Sequence, residues 1–389
     1  MFRIDVFVLS VALVLALLTD RALAQSRQGL IIDGTIVAGF DDNVFRSNVE
    51  ESDRVIQFVP KISLNGLYGK HNFAFEYDGD FAQYSENSDF NYFQHNFNGF
   101  ALLDINRTIN AQFNFFYQDK IEKPGVNSSL LDDEAEEFNE YTITGLNAAL
   151  YYGTKRSIGQ LVLIFDVNNR DYSNNSQEFR DVDSSAITAR FFYNLGDKTR
   201  LQLEAGTGDY DYIQNETSID RSNSELELLL GVTWEATAKT SGVFRVGYKN
   251  KEYNSEQFKT ISGLSYFFNV EWQPTRYTSF SLGSTKNPNE SAQINEGGLF
   301  RTTYSIEAQH EITSRTNFLT EYKLYKDEVA LFEGNRTDER EEFSVGVGFV
   351  INRWLDSKVG YKYLNRTSDL DTFNYTANIF EISLNSSFD

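Results

Sequence analysis

The residues best suited to chemistry in this chain are few, and their spacing commits none of them to a reaction. Asp41, Asp42 and Asn43 stand in a row, and Asp78 and Asp80 flank Gly79. Both segments put hard oxygen ligands close together, as a calcium ion requires. Neither completes a calcium-loop pattern, so hydrogen bonding at strand ends is their default role and no metal is expected. The only imidazoles are His71, His95 and His310. No G-x-S-x-G segment accompanies them for acyl transfer, and no H-E-x-x-H offers a zinc site. Absence of cysteine removes disulfides and thiolate ligands together. Neither catalysis nor a cofactor is expected.

What must position these residues is legible from periodicity. Phe73, Phe75, Tyr77, Gly79 and Phe81 alternate with Asn72, Glu76, Asp78 and Asp80. Leu226, Leu228, Leu230, Val232 and Trp234 oppose Glu225, Glu227 and Thr233. Alternation of this kind is the strand period, and few windows carry the helical one. Eighteen such windows can be read, from 30–40 and 54–66 through 342–352, 357–365 and 374–388, although sixteen remain possible. Tight turns near Tyr68-Gly69-Lys70, Gly153-Thr154-Lys155, Gly196-Asp197-Lys198 and Pro274-Thr275-Arg276 alternate with long polar stretches. Those stretches lie at 41–53, 120–138, 170–183, 212–223, 287–298 and 327–341. Short turns on one side and long loops on the other describe a transmembrane antiparallel up-and-down β-barrel. Closure is required, because an open sheet edge in hydrocarbon leaves backbone groups unpaired at several kcal/mol each.

Composition and the N-terminus agree with that fold class. Arg3, the apolar run Val6 to Leu18 and the Ala22-Leu23-Ala24 end have the three parts of a secretory signal peptide. The run is too short for a spanning helix, which needs about 20 residues. Residues 1–24 are therefore expected to be removed, leaving one barrel domain over 25–389 in the outer membrane of a Gram-negative bacterium. The chain holds 33 Phe and 22 Tyr but only 4 Pro, a mixture suited to strands with lipid on one face and water on the other. Its net charge of −21 disfavours nucleic acid as a partner. Outer-membrane lipid and lipopolysaccharide around the wall, and barrel-assembly machinery reading the last strand near Phe388, are the partners this fold class implies.

The alternation also assigns a lumen. It points Glu76, Asp78, Asp80, Arg190, Glu225, Glu227, Arg245 and Arg301 inward, with both signs present. Scattered ion pairs on a hydrated wall are the plain reading, and a path for a polar polymer is the sharper one. A one-residue register slip would reverse every assignment. The third long loop carries Asp132, Asp133, Glu134, Glu136 and Glu137. If it folds inward it makes an acidic constriction; otherwise it is a solvated face.

The stretch from Gly39-Phe40-Asp41-Asp42-Asn43-Val44-Phe45-Arg46 through Phe58-Val59-Pro60-Lys61-Ile62, His71, Tyr77-Asp78-Gly79-Asp80-Phe81 and His95 resembles the β-barrel porin type 2 family. This part spans about a fifth of the chain; the rest matches in length and strand pattern. The resemblance implies an outer-membrane channel for export of a secreted polysaccharide, working with a periplasmic polysaccharide export protein. A general or sugar-selective diffusion porin is the alternative, and a structural or adhesive barrel with a plugged lumen is the third reading. Asp41, Asn43, Arg46, Pro60, His71 and His95 are positions where the family pattern is met, without catalytic roles. Pro60 inside a strand removes a ladder donor and favours a bulge or a strand start.

Overall fold

The computed structural model describes residues 29–125, 129, 137–213, 219–237, 239–294, 296–331 and 334–388. The expected leader at 1–24, and Asp132, Asp133, Glu134 and Glu136, lie outside them. Eighteen strands are present: β1 (Gly29–Asp41), β2 (Asp53–Tyr68), β3 (His71–Tyr84), β4 (Tyr92–Asp104), β5 (Ile109–Glu122), β6 (Asn139–Tyr152), β7 (Gly159–Tyr172), β8 (Val182–Gly196) and β9 (Thr199–Tyr212) form the first half. The second half is β10 (Asn223–Thr237), β11 (Thr240–Tyr253), β12 (Ile261–Thr275), β13 (Thr278–Glu290), β14 (Glu296–Thr313), β15 (Thr316–Leu331), β16 (Asn335–Asn352), β17 (Leu355–Ser368) and β18 (Tyr375–Phe388). Every strand pairs antiparallel with its neighbours in the chain, and β1 pairs with β18 from Ile32 opposite Phe388 to Asp41 opposite Ile379. Thr35 donates to Asn385 Oδ1 across this seam at 2.8 Å. The sheet therefore closes without an edge.

Alternation decides which side each residue serves. Ile32, Ile36, Leu226, Leu228, Leu230, Ile382 and Leu384 stand exposed on the outer surface. In water so large an apolar belt would drive association; around a barrel it is the lipid-facing band. All three tryptophans of the chain sit at the short-turn end, in the last turns of β10 and β12 and between β16 and β17. Trp272 stacks on Phe280 at 5.3 Å and Trp354 on Phe388 at 5.9 Å, forming an aromatic girdle at one interface. Five of the short connections carry a register shift in the last residues of their hairpin, at Trp234–Thr237, Trp272–Thr275, Glu311–Thr313, Val350–Asn352 and Asn194–Gly196. Such bulges add the twist that lets two strands turn tightly.

Two of the expected long loops are largely strand. The polar stretches 287–298 and 327–341 belong mostly to β13, β14, β15 and β16, and β14 and β16 reach 18 residues each. A spanning strand needs about 9–11 residues. Beyond the lipid both faces of a strand meet water or protein, so the apolar alternation that marks a strand in the sequence fades. Pro60 likewise departs from expectation: it lies mid-strand in β2, with no register shift on either side. Phe58 faces Phe81 and Lys61 faces Asp78 in one register, and Pro60 falls opposite Gly79 in the gap between. A Cβ on Gly79 would approach the Pro60 ring, the Phe81 ring and the Tyr77 hydroxyl at 2.9 Å each. The proline is tolerated because glycine leaves room for its ring.

The long-loop end is organised by a repeated device. Short 3-10 turns at Ser88–Phe90, Glu178–Arg180 and Asp371–Phe373 each bury a phenylalanine: Phe90, Phe179 and Phe373. The residue after each turn accepts from the N–H that ends the preceding strand or stands at its last residue. Asn91 takes Tyr84 at 2.7 Å, Asp181 takes Tyr172 at 2.6 Å and Asn374 takes Ser368 at 2.7 Å. Burying each aromatic contributes roughly 1.5–3 kcal/mol. Phe90 joins Val44, Ala82, Tyr84, Tyr92, Ile121 and Phe138 in one apolar cluster, and Phe258 joins Tyr253, Ile261 and Phe300 in another. Two of the barrel's buried apolar clusters thus sit inside its long-loop end, and a third, Ala149, Tyr151, Val162, Ile164 and Phe192, lies near the short turn between β6 and β7.

Candidate functional site

The inner wall of β6 to β9 is lined with small residues. Ser184, Ala186, Gly206 and Gly208 leave a hollow that forms part of a cavity of 330 Å³. Gly145 lies in the same wall, where the Phe116 ring and the Asn168 side chain occupy the space that a Cβ would need. Opposite this hollow the cavity is bounded by Asn287, Pro288, Asn289 and Glu290 of β13.

Those four residues reach the cavity because β13 leaves the wall. Its pairing with β12 extends no further than Tyr266 opposite Lys286, while its pairing with β14 continues to Glu290 opposite Gly298. Ser265 sits at the departure point, donating to the Lys286 carbonyl at 2.8 Å and to Asn287 Oδ1 at 2.7 Å. A register shift between Glu296 and Leu299 bends the returning strand as well. The hairpin is held at its tip from two sides. Arg221, from the loop between β9 and β10, donates to the carbonyls of Ser291 at 2.8 Å and Gly297 at 3.4 Å. Arg336 of β16 pairs with Glu296, and Glu290 pairs with Lys251 and, at 3.6 Å, with Arg221.

Charges line the cavity in equal number: Arg170, Arg190, Arg245, Lys249 and Lys251 against Asp166, Glu204, Glu225, Glu227 and Glu290. Most are spoken for. Glu204 accepts from Arg190 at 2.6 Å and lies 3.3 Å from Arg245, Glu227 pairs with Lys249, and Glu225 lies 3.4 Å from Lys251. Asp166 instead takes a hydrogen bond from the Asn147 amide at 2.6 Å. Arg170 donates to the Arg180 carbonyl at 3.3 Å, and its Nε is buried without a partner.

The other inward positions lie elsewhere around the wall. Glu76 and Asp78 share Lys61, at 2.8 and 3.3 Å. Asp80 accepts from Gln94 at 3.3 Å and from the Tyr92 hydroxyl at 3.4 Å. Arg301 makes a two-point pair with Asp327 at 2.7 and 2.6 Å, over the Tyr325 ring. Arg170, Arg221, Lys251, Glu290 and Arg336 stand out only in the structure. Apart from Asp338, which lies two residues from Arg336 on β16, their partners come from other strands and loops, so local spacing does not announce them.

Of the acidic third loop, only Glu137 is described among the five carboxylates expected to constrict; it is exposed and accepts from Asn174 at 2.9 Å. The first residues of the loop do enter the lumen. Lys123 lies over the Tyr92 ring at 4.9 Å, and the Gly125 carbonyl accepts from Arg340 at 3.0 Å. Arg340 belongs to β16, seven strands from β5 around the wall, so the lumen is bridged at this level.

The motif positions shared with the resembling family build local structure. Arg46 forks onto Asp41 at 2.9 and 2.7 Å. Burial alone would lower the Arg46 pKa, but the Asp41 pair outweighs it and raises it. Asn43 donates to the Ser47 carbonyl at 2.8 Å and to the Thr376 carbonyl at 2.9 Å, and Asp42 accepts twice from Asn378. These carboxylates are engaged with protein, and among the described residues no group of three acidic or imidazole side chains could hold a metal. His71 opens β3 at a short turn. His95 lies on the lipid side with Tyr77, whose hydroxyl is 3.1 Å from its Nδ1.

The family described as Putative beta-barrel porin 2 matches residues 33–388. The chain belongs to this family. Solved structures with the same fold include Pseudomonas aeruginosa OccK2 (OpdF), 11% identical with a TM-score of 0.53, covering 93% of this chain and 100% of that one. Pseudomonas aeruginosa OpdO, 12% identical, matches at 0.50 over 92% of this chain and 96% of its own. Pseudomonas aeruginosa OpdK with vanillate, 11% identical, also matches at 0.50 over 92% and 99%. At these identities the likeness carries the fold alone. No curated protein sequence matches the chain. As a member of this porin family with a closed 18-strand wall, the chain is a porin-like outer-membrane barrel.

Proposed function

We propose that this porin-family barrel is a selective diffusion channel for small polar solutes. The observation that carries the reading is the 330 Å³ cavity held between the wall and the inward β13 hairpin. Its volume falls at the lower end of small-ligand sites, about 300–1,000 Å³. Equal numbers of acids and bases around it favour solutes that are neutral overall. Export of a polysaccharide, the expectation from family resemblance, asks for a passage that admits a polymer chain. The hairpin and the Gly125–Arg340 bridge both narrow the lumen. A plugged structural barrel is the remaining alternative.

Planar-bilayer recording with the purified protein alone tests the proposal. A steady conductance, together with liposome entry of mono- and disaccharides but exclusion of longer oligosaccharides, is the expected result. Conductance seen only when periplasmic partners are added would return the export channel to first place. No conductance under either condition would favour the plugged barrel.

A further inference from the structure

Two charges in the cavity differ from the rest. Asp166 and Arg170 both project inward from β7, four residues apart, with Asn168 between them on the same face. Neither makes an ion pair within 4.0 Å among the described residues, whereas every other charge lining the cavity does. Asp166 has one hydrogen bond, from the neutral Asn147 amide, and Arg170 has one, to a backbone carbonyl. Beside them the wall is hollow. Ala186 is opposite Asp166 and Ser184 opposite Asn168 on β8, and Gly208 is opposite Ala186 on β9. Each of the two charges is half-buried, and the nearest opposite charges, Arg190 for Asp166 and Glu290 for Arg170, act only from beyond contact distance; a charge in such surroundings gains from a partner that reaches it directly. Here two opposite charges stand without a contact ion pair at opposite ends of one trough.

We propose that this trough is a binding site for short zwitterionic peptides, the carboxylate end at Arg170 and the ammonium end at Asp166. Four strand residues set the two Cα positions about 13 Å apart. An extended tripeptide spans about 10 Å, a length that the two side chains can bridge by leaning toward each other. Asn168, between them, offers both a donor and an acceptor to a peptide group in the middle. A monovalent anion or cation would satisfy one end and leave the other bare, and an uncharged sugar would satisfy neither. The narrow floor of Ser184, Ala186 and Gly208 selects small side chains.

The proposal rests on the lumen serving small solutes, so binding and conduction are measured separately. Isothermal titration of trialanine into detergent-purified, heat-modifiable barrel reads binding; planar bilayers read conduction. The expected result is saturable binding that weakens at least tenfold when the peptide is N-acetylated or C-amidated. Arg170→Gln should no longer distinguish trialanine from its amide, while still distinguishing it from the N-acetyl form; Asp166→Asn should show the reverse. Each variant is checked for the heat-dependent gel shift, and either one suffices if the other fails to fold. Binding without conduction would keep the site and remove the diffusion reading. Conduction with no trialanine binding at millimolar concentration, or with equal affinity for free and capped peptides, would overturn the site and leave the diffusion reading standing.

Discussion

The Arg221 guanidinium donates to the Ser291 carbonyl at 2.8 Å, joining the loop between β9 and β10 to the tip of the β13–β14 hairpin. Arg221 is almost completely buried, and its further contacts with Gly297 and Glu290 lie on the same hairpin. The arrangement is a clasp that holds a departing piece of wall inside the channel.

Loosening that clasp should widen the path. Arg221→Ala leaves Lys251 as the ion-pair partner of Glu290 and frees the carbonyls of Ser291, Gln293 and Gly297 at the tip. Removing one partner of a buried pair costs about 3–5 kcal/mol, enough to loosen a hairpin tip that Arg336 and Lys251 would then hold without Arg221. Single-channel conductance should rise. A conductance equal to wild type would show that the hairpin does not limit flow.

Glu204 holds two guanidiniums at once. In Glu204→Gln, Arg190 and Arg245 face each other across the site without their shared carboxylate. Reversal potential in a potassium chloride gradient should move toward chloride selectivity. The temperature at which the folded gel band is lost should also fall, reflecting a loss of about 3–5 kcal/mol. A selectivity unchanged in sign and size would place this triad off the ion path.

Arg336 and Arg366, which both donate to Asp338, lie 4.2 and 4.9 Å from the centre of the Phe373 ring. Phe373→Leu keeps apolar volume but removes the ring face. The cost should be about 1–2 kcal/mol, the worth of desolvated cation–π contacts, against about 3–5 kcal/mol for Phe373→Ala. Unfolding in denaturant from folded lipid vesicles measures both; equal losses would mean that only volume matters there.

Asp181, just outside β8, carries a test by pH. Burial raises its carboxyl pKa, and the hydrogen bond from the Tyr172 N–H only partly opposes this. A raised acid pKa means the folded state binds the proton more tightly than the unfolded chain, so the charge costs stability at neutral pH. Asp181→Asn keeps an acceptor for Tyr172 without the charge. It should be more stable than wild type at pH 7, with the advantage shrinking as pH falls through the carboxylate range. A variant less stable at pH 7 would assign the charge a favourable partner.

Much of this was legible in the sequence because a lipid-facing wall imposes a two-residue period. The window 374–388 differs from β18 by no more than a residue at either end. Legibility failed where that pressure ends. At 287–298 and 327–341 the strands rise past the lipid, lose alternation and read as loops. The clasp residues Arg221 and Glu290 are separated by long stretches of chain, and their meeting depends on a strand leaving its neighbour. Sequence periodicity fixes which face a side chain takes, but not which distant loop it meets.

The seam between β1 and β18 has a temporal consequence. Thr35 meets Asn385 across 350 positions of chain, so the wall cannot shut until the last strand has been made and delivered. Throughout that interval the first strand lacks its partner, and seventeen strands present an apolar belt with two sticky margins. Contacts this remote in sequence form slowly. Handling of the chain before closure, by whatever keeps it from pairing with its own copies, is thus as much a condition of this architecture as the strands themselves.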